Sequence, residues 1–287
     1  MSTYKKPIKA QLVPVERGLL YAFLLILVVI CVTPFFMMLV NATRSAAQIN
    51  SGFTLIPSSH FMENLNSIKE QANINLYNGL KNSAIIAFSA TVLTAYFSSL
   101  TAYGFQFYNF KGKNFLFAMI LLMMMVPQQL GMLGFYTVSA KLGMLNTFYP
   151  LIIPSVANIF GVFFIRQYMA SVIHMSLIEA ARIDGASEIT IFHKIIFPLI
   201  VPATATITIM AFIANWNNYL GPLLILQTNN MKTIPLLIGS LKGARVAQNN
   251  YGALYAAIAL SIIPILIIFV IFSRYIISGI SSGGVKE

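Results

Sequence analysis

Acidic side chains are nearly missing: seven of 287 residues are Asp or Glu, and all charged residues together reach 9%. An ordinary soluble domain carries about a quarter, so with 58% hydrophobic residues a water-soluble globule is excluded. Cysteine is equally scarce. Cys31 is the single thiol, which rules out an intrachain disulfide and says nothing of redox compartment. His60, His174 and His193 are scattered without ligand spacing, so a metal site has no support. A GxxxxGK(S/T) phosphate loop is missing, and Gly112-Lys113 lacks both the preceding glycine and the following hydroxyl.

What the chain does have is long apolar runs. Six can span a bilayer: 18–40, 83–105, 115–136, 148–169, 196–220 and 253–276. None alternates as a barrel strand would, so the expected fold is all-α, a polytopic protein with six transmembrane helices. The first run follows a basic stretch but ends without a small-residue cleavage pattern, and is read as a retained helix. The formal charge of +11 resides in short loops, as membrane orientation requires, which sets nucleic acid aside. Counted by side, eleven Lys and Arg fall with the termini and seven opposite, favouring cytoplasmic ends. The expected organisation is a segment 1–17, a membrane domain 18–276 and a tail 277–287, with two polar connections, 41–81 and 228–251, outside. Pro34, Pro127, Pro154, Pro198, Pro202 and Pro264 are expected to kink or open spans.

Three of the seven acids, Glu179, Asp184 and Glu188, crowd between Ser176 and Lys194 in SLIEAARIDGASEITIFHK. Ser176 and Glu179 have capping-box spacing and predict a helix start. Gly185 should end that helix in a left-handed turn. A second helix is expected to follow, with Ile189, Phe192, Ile195 and Ile196 on one face and Glu188, His193 and Lys194 on the other. Glu179 either caps its own helix and pairs with Arg182, or belongs to a docking surface that small Ala180 and Ala181 open to another backbone.

EAARIDGAS followed by FHKIIFPLIVP closely resembles the EAA loop of the membrane-spanning permeases of ABC importers. YNGLKNSAII, TAYGFQFYNFKGKNF, MMMVPQQL, FFIRQYM and ANWNNYLGPLLIL resemble the carbohydrate-uptake branch, and RYIISGISSGGVKE the C-terminus of the smaller of two paired permeases. The resemblance covers the chain from about Tyr77 onward and is nearest to permeases for arabino-oligosaccharides, lactose and maltodextrin-like sugars. It implies a coupling loop at about 170–195 in which Glu179, Ala180, Ala181, Asp184 and Gly185 dock onto an ATPase. It further implies a second homologous permease, two ATPase subunits binding ATP and Mg, an external sugar-binding protein, and a bacterial or archaeal plasma membrane. The chain itself would be non-catalytic and bind no cofactor. The segment 283–286 is a further candidate contact with the ATPase, and the loop 228–251 with the binding protein.

Intramembrane polar groups are expensive and often functional. Gln128 and Gln129 beside Pro127, and Asn215, Trp216, Asn217, Asn218 and Tyr219 in the fifth span, could bond sugar hydroxyls or stack on a pyranose. Helix-end amides and an interfacial aromatic belt are the alternative. A permease for polyamines, phosphonates or metal ions remains open. An ion-coupled secondary transporter would want intramembrane carboxylates, and the six runs contain none. An intramembrane enzyme would want a histidine or ligands at membrane depth, and the three histidines lie outside the runs.

Overall fold

The computed structural model describes residues 14–72, 74–243 and 250–283, and among them secondary structure is helical throughout, with no strand. The chain begins with α1 (Pro14–Ala42), α2 (Ala46–Asn50), α3 (Phe61–Ala72), α4 (Leu76–Phe107) and α5 (Lys113–Met124). A tight turn at Gln128–Gly131 leads to α6 (Met132–Lys141), then α7 (Tyr149–Ile152) and α8 (Ile159–Val172). Next come α9 (Met175–Ile183), α10 (Glu188–Thr190), a wide π-turn at Ile191–Ile196, α11 (Phe197–Leu199) and α12 (Val201–Trp216). The order closes with α13 (Leu220–Ile225), α14 (Ile234–Gly243) and α15 (Tyr251–Gly283).

Helix α4 is the spine, about 48 Å long at 1.5 Å per residue, with α8 and α12 packed along it. Its buried stripe is made of small residues: Ala87, Ala90, Thr91, Thr94, Ser98, Ser99 and Ala102. Between helices already surrounded by apolar tails, such residues allow close backbone approach and hydroxyl bonding. Ser99 and Thr204 of α12 bond at 3.2 Å. A Cβ placed on Gly161 of α8 would fall 2.6 Å from Ser98 Oγ, which is why glycine stands there.

Four segments are long and apolar enough to cross as single spans: 17–42, 76–107, 149–172 and 251–273. The other two expected spans are broken. Pro127 is extended (φ −60°, ψ 124°), so α5 stops at Met124, and the 113–124 and 129–141 segments meet at 91°. The run 115–136 is therefore a sharp corner rather than one kinked helix, because proline disfavours helical backbone in the residue before it and brings no N–H of its own. In the fifth run Pro202 stands in the first turn of α12, also without an N–H, and the chain turns by 79° around Ile200.

The two connections expected to be polar loops contain helices. In the first, Asn64 of α3 donates to the carbonyls of Ala42 (2.9 Å) and Arg44 (3.0 Å). In the second, α14 buries Ile234, Leu236, Leu237 and Leu241. It is seated at the start of α4, where Asn82 donates to the carbonyls of Asn230 (2.8 Å) and Lys232 (3.0 Å) and Ser83 Oγ accepts from Ile234 N–H (2.9 Å). The outer helices also run past their expected ends: α1 starts at Pro14, and α15 continues through Gly283 into the expected tail. Residues 244–249 and 284–287 lie outside the described residues, and with them most of the 283–286 contact and the Arg245 part of the 228–251 loop.

Candidate functional sites: a polar cleft and a surface loop

The corner at Pro127 and the end of α12 face one another. Between them and α4 lies a cleft of about 520 Å³, lined by Thr94, Gln129, Met132, Ser155, Asn158, Ala211, Ala214, Asn215, Asn217, Asn218, Tyr219 and Leu220. The structure thus brings together Gln129, Asn215, Asn217, Asn218 and Tyr219, while the side chain of Gln128 lies outside what is described. Thr94, Ser155 and Asn158 are additions that sequence reasoning missed. They sit in ordinary apolar surroundings, and the turn at Pro154 that delivers the last two is legible only in three dimensions.

Several amides in the cleft are already partly committed. Asn215 Nδ2 donates to the Ala211 carbonyl (2.8 Å), leaving its Oδ1 open. Asn218 Oδ1 accepts from Gly221 N–H (3.2 Å), leaving its Nδ2 open. Asn158 Oδ1 caps α8 through Gly161 N–H (2.6 Å). Gln129 and Asn217 make no side-chain hydrogen bond among the described residues, and both are exposed in the cleft. Apart from the Tyr219 phenol, the described lining holds no ionisable group.

Trp216 is not part of this surface. It is 2% exposed, stacks on Phe212 with ring centroids 5.6 Å apart, packs with Ala87 and Ile234, and donates from Nε1 to the Ser261 carbonyl (3.0 Å). On a helix, one residue's step from Asn217 turns a side chain by about 100°, and here that step carries the indole into the core. Trp216→Ala is expected to destabilise the protein by about 3–5 kcal/mol. The check is a fall in unfolding temperature in detergent, with Trp216→Phe intermediate and solute affinity of the folded fraction unchanged.

The second site is the loop at the other end of α4. Helix α9 enters at His174 without a side-chain cap, so Ser176 lies inside the helix and the expected Ser176–Glu179 capping box does not form. Burial of Ile173 and Ile178 in the core beneath fixes that register. The helix ends as expected, with Gly185 at φ +80°. Gly185 N–H donates to the Arg182 carbonyl and Ala186 N–H to the Ala181 carbonyl, both at 3.0 Å, which is the paired closure of a Schellman turn. Ser187 then caps α10 through Thr190 N–H (3.3 Å).

Glu179, Ala180, Asp184 and Gly185 are exposed on the loop, whereas Ala181 is buried against the chain's own core. Ala181 is small because Tyr103, Met169, Ile178 and Phe192 share that core, not because it faces outward. Four large apolar residues join the exposed surface: Met175, Leu177, Ile183 at 86% and Ile189 at 74%. Ile189 was expected on the buried face. Phe192 and Ile196 turn inward as expected and Ile195 is half-buried, but the π-turn that begins at Ile191 accommodates an extra residue, and Ile191 takes the inward place expected of Ile189.

Arg182 pairs with Glu188, not with Glu179: Nε donates to Oε1 at 2.7 Å. Glu188 was expected to face solvent, yet the left-handed turn at Gly185 folds it back onto the end of α4, where Tyr103 of that helix (2.9 Å) and Tyr108 just beyond it donate to its Oε2. The Arg182 hydrogen bond, then that from Tyr108, hold the Glu188 carboxyl well below its ordinary 4.5, at about 2. Since the folded value is depressed, the contribution of this cluster is present above pH 4.5 and is lost only as pH falls toward 2.

A helical bundle with spans long and apolar enough for a bilayer, a polar cleft between them and a protruding loop at one end is built as an integral membrane permease. The chain belongs to the family described as binding-protein-dependent transport system inner membrane component, whose profile matches residues 94–282. It is similar to the arabinooligosaccharides transport system permease protein AraQ of Halalkalibacterium halodurans, 35% identical over 97% of this chain and 99% of the relative. It is also similar to the lactose transport system permease protein LacG of Rhizobium radiobacter, 32% identical over 93% of this chain and 95% of the relative. Among solved structures it is similar to a chain of a bacterial ABC transporter involved in the import of the acidic polysaccharide alginate. There the TM-score is 0.76 and the identity 25%, covering 92% of this chain and 98% of the other. The fold is that of an ABC importer permease subunit, as the EAARIDGAS resemblance implied.

Proposed function

We propose that this permease forms, with a second homologous permease, the path for a neutral oligosaccharide delivered by an external binding protein. ATP and Mg are bound by two separate ATPase subunits resting on the exposed loop, and this chain is non-catalytic. Both termini lie in the cytoplasm of a bacterial or archaeal cell, on the side of the α9 loop. The observation that carries the sugar reading is the cleft lining: open amide donors and acceptors on Gln129, Asn215, Asn217 and Asn218, with no charged side chain among them. Sugar hydroxyls both donate and accept, so mixed amides satisfy them without the desolvation penalty of a buried charge. A phosphonate would want cationic partners and a polyamine carboxylates, and the described lining supplies neither. The similarity to AraQ and LacG supports the same class.

The test is purification from the native membrane in mild detergent followed by an ATPase assay. An ATPase and a second permease are expected to accompany this chain, with hydrolysis stimulated by binding protein loaded with a neutral oligosaccharide. Stimulation by a phosphorylated or polycationic solute instead would overturn the sugar reading, and recovery of the chain alone would overturn ATP coupling.

A further inference from the structure

The carboxylate of Glu188 collects three donors from two parts of the fold. Oε1 takes Arg182 Nε of α9 (2.7 Å), while Oε2 takes Tyr103 of α4 (2.9 Å) and Tyr108 of the segment that follows α4. The Arg182 guanidinium also lies 5.6 Å from the centre of the Tyr108 ring, and Lys113 Nζ of α5 bonds the Tyr108 carbonyl (2.8 Å). Beside them Tyr103 packs on Phe192 of the π-turn, with centroids 5.4 Å apart. Every donor to this carboxylate belongs either to the loop or to the end of the spine helix.

We infer that Glu188 is a positioning residue for coupling: it ties the docking loop to the end of α4, so that displacement of the loop is delivered along that helix to the solute cleft. The inference rests on the docking reading above. Between Tyr103 and Thr94, which lines the cleft, the chain runs as unbroken α4, about 13.5 Å of rigid helix. On the way Ser99 holds Thr204 of α12, the helix whose far end supplies Asn215 to the cleft. Hydrophobic packing also joins α9 to α4, but apolar contacts can slide. Three directed bonds on one charged acceptor fix both distance and orientation. A loop moved without this tie would slip over the apolar core, and the ATPase stroke would displace the loop alone.

The experiment uses the whole importer, this chain with its permease, ATPase and binding-protein partners, reconstituted in liposomes. Glu188→Gln keeps the side chain's size but loses the ion pair with Arg182. The Tyr103→Phe, Tyr108→Phe double variant leaves Arg182 and Glu188 paired and removes only the bonds to α4. Each is expected to retain bound ATPase and continued hydrolysis, while solute moved per ATP falls about tenfold, in the usual range of coupling between sites. All three substitutions together should do no more than either set, because they break one device. An unchanged ratio, additive losses, or release of the ATPase from Glu188→Gln would each overturn the inference. Gly185→Pro and Glu179→Lys serve as the comparison: if both keep their ATPase and normal uptake, the docking reading fails, whatever the Glu188 variants do.

Discussion

Gly185→Pro is expected to reach the membrane in normal amount and to transport almost nothing. Gly185 sits at φ +80°, and its N–H bonds the Arg182 carbonyl. Proline holds φ near about −65° and has no N–H, so both features of the turn are lost. The distortion costs on the order of 3 kcal/mol, enough to reduce the correctly closed loop about a hundredfold. Because Gly185 is exposed, and a Cβ added there would meet no atom within 4 Å, the bundle core is untouched. Gly185→Ala is a graded control, since a left-handed alanine costs about 1–2 kcal/mol. Glu179→Lys reverses a charge on the exposed face of α9 without disturbing a bond among the described residues, and should release the ATPase by altering the surface alone. The measurements are membrane abundance, co-purifying ATPase and solute uptake. Normal uptake by both Gly185→Pro and Glu179→Lys would rule out the docking role.

The end of α9 was legible because it is local: glycine relieves the Cβ clash of a left-handed residue wherever it stands, and Asp184-Gly185 marks the turn in one dimension. Its beginning was not, although Ser176 and Glu179 have capping-box spacing. Entry is set by Ile173 and Ile178 finding the same core, which is a tertiary fact. The direction of Glu188 was hidden for the same reason. A helical-wheel argument assumes uniform turns, and here a left-handed turn precedes the residue while a π-turn follows it. The pair of tyrosines in TAYGFQFYNF was the available signal, since phenols in largely apolar surroundings usually find a hydrogen-bond partner.

The membrane class followed from composition, while the path of the chain through the bundle did not. Hydropathy registers that residues 115–136 and 196–220 are apolar; it does not register that each contains a corner of 91° or 79°. The same blindness made 228–251 look like a polar loop. Its Lys and Asn residues outweigh Ile234, Leu236, Leu237 and Leu241 in a running average, yet all four are buried, Ile234, Leu237 and Leu241 on one face of the helix and Leu236 on another, packed with Ile225 and Leu226. Trp216 errs in the opposite direction: its neighbours in ANWNNYL are polar, but a helix sorts neighbours onto different faces, and the largest apolar surface took the interior.

Removing the two uncommitted amides from the cleft should separate recognition from coupling. Gln129→Ala and Asn217→Ala each take away a side chain that bonds nothing within the described residues, so neither should weaken the fold. If each amide makes a hydrogen bond to solute worth about 1–1.5 kcal/mol, each single variant loses roughly tenfold in solute affinity and the pair about a hundredfold. The loss should show itself as a higher solute concentration for half-maximal uptake, with bound ATPase and solute moved per ATP unchanged. Asn218→Ala is different in kind, because its Oδ1 also closes the turn at Gly221, and there a fall in unfolding temperature should accompany the weaker uptake. Undiminished affinity in the Gln129→Ala, Asn217→Ala pair would mean that solute is held by the partner permease. The cleft of this chain would then be a wall of the path rather than its binding surface.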